Sequence, residues 1–206
     1  LEQLKAQVQW EPRLIVIKGF TLPMDVVLDE LRLDLKDYEA GNIVTQVLAH
    51  LGAAKIQADA NVLDVFGKLS VKADVKASDL RSAELQTLGL PKDVNFDGGT
   101  LSLHVEGDPL TPPLLKMQTQ FSVANIRAAG AMLDKVELAL DVANAEATVK
   151  TLRVTRGSNL IEATANAKLP AIIEEWPKTS WTAATKASIN NLSELLVKPP
   201  PARGTI

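Results

Sequence analysis

Apolar side chains occupy every second position along most of this chain. Val136, Leu138, Leu140 and Val142 alternate with Lys135, Glu137, Ala139 and Asp141. Leu31, Leu33 and Leu35 sit between Glu30, Arg32, Asp34 and Lys36; Leu69, Val71, Ala73 and Val75 between Lys68, Ser70, Lys72 and Asp74; Leu101, Leu103 and Val105 between Ser102, His104 and Glu106. A period of two is that of a strand with one wet face and one apolar face. Turn chemistry interrupts the alternation about every ten residues, at Gly19 and Pro23, Asp97-Gly98-Gly99, Gly107-Asp108-Pro109 and Arg156-Gly157-Ser158-Asn159. Short alternating stretches separated by such turns predict an all-β, antiparallel protein.

Helical spacing occurs in two places. Asn42 to about Ala54 carries Ile43, Val47, Leu48 and Leu51 behind an N-cap-like Asn42, and Asp79 to Leu88 carries Leu80, Leu85 and Leu88. Both are expected as brief helices across a sheet end. Residues 1–197 are expected to form one β-rich segment, and 198–206, with Pro199-Pro200-Pro201, a linker-like tail. Lys76-Ala77-Ser78 followed by Glu84-Leu85 returns as Lys186-Ala187-Ser188 followed by Glu194-Leu195, with Ala73 echoed by Ala183 at the same offset. This marks a repeat near residues 77 and 187.

Composition shapes the apolar face. Hydrophobic residues make up 46% of the chain but aromatic ones only 4%, so the face is aliphatic and short of large anchors. Basic and acidic residues, 22 and 25, are interleaved, which leaves no electrostatic stripe for nucleic acid. The absence of Cys removes disulfide and thiolate chemistry. His50 and His104 are far apart in the sequence and fit no metal-ligand spacing, Asp93 and Asp97 lack the further oxygen ligands of a calcium loop, and Ser158 stands in no Gly-x-Ser-x-Gly elbow. No catalytic residue, metal or cofactor is therefore assigned, and the chain is expected not to be an enzyme. It opens on Leu1 and holds no apolar run of bilayer-spanning length, so it is expected to be a piece of a longer polypeptide. Trp176, before Pro177, is expected to cap an end of the apolar surface.

A sheet with one aliphatic face covers it with a second sheet, a helix layer or a ligand. Two brief helices are too few, which leaves a closed β-sandwich or an open, ligand-lined trough. The segments Leu85–Pro91, Gly99–Pro109, Leu133–Asn144 and Ala147–Pro170 resemble the repeating texture of the AsmA/TamB superfamily: a short helix, a strand ending in a Gly-Asp loop, Leu-alternating strands, then a Gly-x-Asn hairpin. The similarity covers roughly residues 60–197 and, more loosely, 14–37; Asn166 stands where the family often has Gly. The resemblance implies a long twisted antiparallel sheet rolled into an open trough with an apolar concave face. It further implies a periplasmic segment of a diderm bacterium that carries phospholipid between inner and outer membranes. Acyl chains would lie on Leu31, Leu33, Leu35, Leu69, Val71, Val75, Leu101, Leu103, Val105, Phe121, Val123, Val136, Leu138, Leu140, Leu152, Val154 and Ile161, with Ala163, Ala165 and Ala167 widening the groove. The implied partners are those acyl chains, adjoining repeats of the same chain, the inner membrane through an anchor outside this segment, and outer-membrane proteins. The alternative is a structural sandwich or a scaffold that assists outer-membrane protein assembly.

Overall fold

A computed structural model describes residues 6–22, 25–87, 89–108, 111, 115–128, 130–191 and 194, without the side chains of 173, 174 and 177. The expected Pro-rich tail lies outside the described residues, as do Pro23, Leu88, Pro109 and Leu195. The chain folds into one antiparallel sheet in which each strand pairs with its sequence neighbour. The strands are β1 (Gln7–Glu11), β2 (Leu14–Thr21), β3 (Val27–Asp34), β4 (Ile43–Leu51), β5 (Ala54–Leu63), β6 (Ser70–Leu80), β7 (Gly98–Gly107), β8 (Lys116–Ala128), β9 (Ala131–Ala143), β10 (Glu146–Arg156), β11 (Asn159–Lys168) and β12 (Thr182–Ser188). Among the described residues one α-helix, α1 (Ser82–Thr87), follows β6. The sheet does not close into a barrel: among the described residues, β1 and β12 are its free edges. Twelve strands about 4.8 Å apart make a face roughly 50 Å wide.

Among the described residues, nothing covers most of that face. The accessible surface is 14017 Å², whereas a compact protein of 22.2 kDa exposes about 9,400 Å² by the usual scaling. No large side chain is fully buried among the described residues. A single layer exposed on both sides accounts for this excess.

The aliphatic side chains stay on one face because the sequence changes phase wherever the backbone does. β6 runs Val71, Ala73, Val75, Ala77 and then Leu80, and its register against β7 slips between Ala77 and Leu80, where Asp79 adopts φ 56. β8 runs Phe121, Val123 and then Ile126 around Asn125 at φ 54. β10 runs Ala147, Val149 and then Leu152, Val154, with a register slip after Val149. β3 shifts against β4 between Leu28 and Glu30. The slips in β6, β10 and β3 each insert one residue, which would turn the rest of the strand inside out had the apolar pattern not moved by one as well. In β8 the phase changes together with that of β9, from Val136 to Leu133, with no slip between the two strands. Asp and Asn tolerate the left-handed region at little cost and so suit two of these sites.

The expected helix over 42–54 is instead β4, the Gly52-Ala53 turn and the start of β5. Ile43, Val47, Ala49 and Leu51 share a strand face as readily as a helix face, and the β-branched run Ile43-Val44-Thr45 favours the strand. Val44 and Leu48 are left on the opposite face, each 45% exposed. The second expected helix is present as α1, shortened at its start because Asp79 and Leu80 belong to β6.

Candidate functional site

Strand register places the expected aliphatic residues in continuous rows across the sheet. One row runs Ile17, Leu31, Val47, Ala58, Val75, Leu103, Thr119, Leu140, Val149 and Ala165. The next runs Leu28, Ala49, Ile56, Ala77, Leu101, Phe121, Leu138, Leu152 and Ala163. A third joins Leu33, Thr45, Ala60, Ala73, Val105, Met117 and Val142, and a fourth links Leu80, Gly99, Val123, Val136, Val154 and Ile161. All the residues read from sequence as lipid-facing lie in these strands on this one face except Leu35 and Leu69, which stand just past the end of β3 and just before β6. Sequence reasoning missed Ile17, Val47, Ile56 and Val149. Ile17 lies within an unbroken apolar run, Val47 within an apparent helix, Ile56 alone between polar residues, and Val149 before a bulge that breaks the alternation.

One end of this face is roofed. α1 and the following segment bring Leu85, Leu90, Val94 and Phe96 down on Ala54, Ile56, Ala77, Leu80, Leu101, Phe121, Val123 and Ile126. Phe96 is 5% exposed. Asn95 exchanges two backbone hydrogen bonds with Arg127, at 2.8 and 2.7 Å, and the Gln86 amide donates to the Val94 carbonyl at 3.0 Å. Glu84 Oε1 accepts from the Ala53 N–H in the β4–β5 turn at 3.1 Å. The uncapped remainder of the face, through Val75, Leu103, Leu140 and Leu152, is half-buried by its own neighbours.

The opposite face is polar and charged. Lys18 meets Glu30 at 2.9 Å, and Lys150 meets Asp141. Arg153 donates through Nε and Nη2 to Glu162 at 3.1 and 2.7 Å, which raises its pKa above the ordinary arginine value. The hydrogen bond from Lys135 at 2.6 Å holds Glu137 below the usual carboxylate range; the Lys36 amide N–H, at 3.0 Å, does the same for Asp34. His50 lies in a strand rather than a helix, with Nδ1 2.9 Å from Asp29, and His104 projects from the polar face with Nδ1 2.8 Å from Asp74. Among the described residues no three His, Asp or Glu side chains converge on a common point.

A hollow of about 1050 Å³ opens on this polar face, lined by Gln57, Lys76, Ser102, Gln120 and Thr151 on one side and Lys55, Ser78, Thr100, Ser122, Glu137 and Arg153 on the other, and between them by Ala49, Ile56, Ala77, Leu101, Phe121 and Leu138 of the second aliphatic row. Val75, Leu103 and Leu140, whose side chains point the other way, do not line it. A twisted sheet is saddle-shaped, concave along one diagonal on each face. Trp176 does not touch the aliphatic rows by hydrogen bond; its Nε1 donates to the Pro170 carbonyl at 3.0 Å and secures the link between β11 and β12. The chain matches no known family model, no curated protein and no solved structure.

Proposed function

We propose that the aliphatic face is a path for lipid acyl chains, and that the protein is a segment of a periplasmic phospholipid carrier of the AsmA/TamB kind. The observation that carries this reading is the one-sided face itself: a continuous aliphatic surface across the sheet, exposed where α1 does not reach, in a molecule with half again the surface of a compact protein. Large exposed apolar surfaces on proteins are interaction sites. Acyl chains suit this one, because its rows offer Leu, Val, Ile and Ala with no charged anchor and few hydroxyls, Thr45 and Thr119 among them. A methylene fully buried gains about 0.8 kcal/mol, and one lying on an open face about half that, so a sixteen-carbon chain gains on the order of 6 kcal/mol. That is enough to hold a lipid and too little to trap it. Successive positions along the rows are similar in depth, which permits sliding.

The roof covers the second row at Ile56, Ala77, Leu101 and Phe121 and the fourth at Leu80 and Val123, so the acyl path runs along the first and third rows, through Leu31, Val75, Leu103, Leu140 and Val105. Head groups would project past the strand ends into water. The test is extraction of the purified protein with organic solvent and mass spectrometry of the extract. Phospholipid at a stoichiometric level, reduced at least several-fold by Leu140→Asp, supports the reading; lipid-free protein that takes up no phospholipid from vesicles removes it, and leaves the scaffold alternative.

A further inference from the structure

The polar hollow has a rim whose charges are tied down and a middle whose polar side chains are not. At the rim Asp29 holds His50 at 2.9 Å, Lys55 lies 3.8 Å from Asp79, Glu137 accepts from Lys135 at 2.6 Å and Arg153 meets Glu162 at 2.7 Å. The Gln57 amide donates to Asp59 at 3.0 Å. In the middle, the side chains of Lys76, Ser102, Gln120 and Thr151 in one row, and of Thr100 and Ser122 in the other, have no partner among the described residues. Strand register sets them side by side: Lys76 opposes Ser102, Ser102 opposes Gln120, and Gln120 is followed across β9 by Ala139 and then Thr151, while Thr100 opposes Ser122. With strands about 4.8 Å apart, the row from Lys76 to Thr151 runs about 19 Å.

We propose that this hollow binds a short saccharide carrying one acidic group, with the anion on Lys76 and the sugar hydroxyls along Ser102, Gln120 and Thr151 and across to Thr100 and Ser122. Lys76 is the hollow's one cation with no carboxylate in ion-pair reach among the described residues. Asp59 and Asp74 border it on the side away from the hollow, where Asp59 takes the Gln57 amide and Asp74 takes His104 Nδ1 at 2.8 Å. An anion approaching from the hollow therefore gains charge-assisted hydrogen bonds. Hydroxyls and carboxamides both donate and accept, as sugar hydroxyls do, so the remaining side chains match a polyol and give a plain hydrocarbon nothing. The second-row residues that floor the hollow carry their side chains on the aliphatic face, where Ile56, Leu101 and Phe121 pack under the roof. The ligand is thus polar throughout, which sets it apart from a phospholipid. A volume of about 1050 Å³ is at the upper end for a small-ligand site. The proposal is independent of what occupies the aliphatic face.

The test titrates the full isotope-labelled chain with an aldotriouronic acid, a short sugar chain with a single carboxylate, and with its neutral methyl ester, followed by NMR. Amide shifts are expected at Lys76, Ser102, Gln120 and Thr151, with the ester binding about fivefold more weakly than the acid. Lys76→Gln should remove that preference, and Gln120→Ala should weaken acid and ester alike. Lys72→Gln, on the same face but outside the hollow, should change neither. The spectrum itself reports that each variant is folded. Absence of shifts at tens of millimolar overturns the proposal. So do shifts spread over the whole polar face, equal binding of acid and ester, or an affinity for acetate or inorganic phosphate matching that for the acid, which would reduce the hollow to a general anion site.

Discussion

Leu138→Asp separates an open aliphatic face from a sealed one. Leu138 lies at the middle of β9, between Phe121 on β8 and Leu152 on β10, with Val136 and Leu140 on the same side along the strand, and it is half-buried. Complete burial of a leucine contributes about 1.5–3 kcal/mol. On a face with solvent above it, the substitution forfeits only the part supplied by neighbours, about 1–2 kcal/mol, and the new carboxylate keeps its water. In a chain of this length that corresponds to a fall in Tm of about 2–8 °C. Were an opposing layer packed on Leu138, a charge buried without a partner together with a cavity would raise the loss above about 4 kcal/mol. Thermal and urea unfolding followed by circular dichroism measure the difference, with Leu140→Asp as a parallel case. A loss above 4 kcal/mol in delipidated protein would refute the single-layer argument.

Other consequences concern the roof, the turns and the charges. Phe96→Ala should cost about 3 kcal/mol, because Phe96 is among the most buried large side chains, and hydrogen exchange across residues 82–96 should accelerate more than in β9 or β10. Ala145→Gly should stabilise by roughly 1 kcal/mol in chemical denaturation, since Asn144 and Ala145 form a two-residue hairpin turn at φ 53 and 57 and a Cβ is disfavoured there. Gly52→Ala should destabilise by about 1–2 kcal/mol, as φ is +58 and the added Cβ would meet Glu84 Cγ at 2.9 Å. Glu137 and Asp34 have folded pKa values depressed from the ordinary 4.5 and 3.8. Their stabilisation is complete above those values and is lost as pH falls through the lower folded ones. Glu137→Gln should therefore lower stability slightly above pH 5, an exposed pair being worth little, and converge with the unsubstituted protein at low pH, which flattens the acid limb of the stability–pH curve.

Alternation in β3, β6, β7 and β9 is legible in the sequence because each of those strands pairs residues of opposite character at neighbouring positions, and the antiparallel order follows from the short turns between them. The phase shifts are harder to see. A jump from Ala77 to Leu80, or from Val149 to Leu152, reads as lost periodicity unless a bulge is known to sit there, so the alternation breaks off in sequence where the apolar face continues in space. β4 imitates a helix for the opposite reason, apolar residues on both faces: Leu48, on the far face, completes with Ile43, Val47 and Leu51 a three-to-four spacing. The roof was half visible, as α1, but Phe96 and Val94 carry no periodic signal, and their burial depends on the Asn95–Arg127 bridge, a contact between segments distant in sequence. The polar hollow has no linear signature at all, because its lining residues come from strands β3 to β10 and converge only through the curvature of the sheet.

The claim that the aliphatic face, and not the polar hollow, takes lipid is tested most directly by photo-crosslinking. A benzophenone amino acid is placed at Leu103, on the aliphatic row, or at Gln120, which lines the polar hollow on the neighbouring strand, in protein expressed in the periplasm of a diderm bacterium with phosphate-labelled lipids. Labelled phospholipid crosslinked at position 103 and absent at 120 is the predicted result. Labelling at 120 equal to or above that at 103, or none at either, would contradict it.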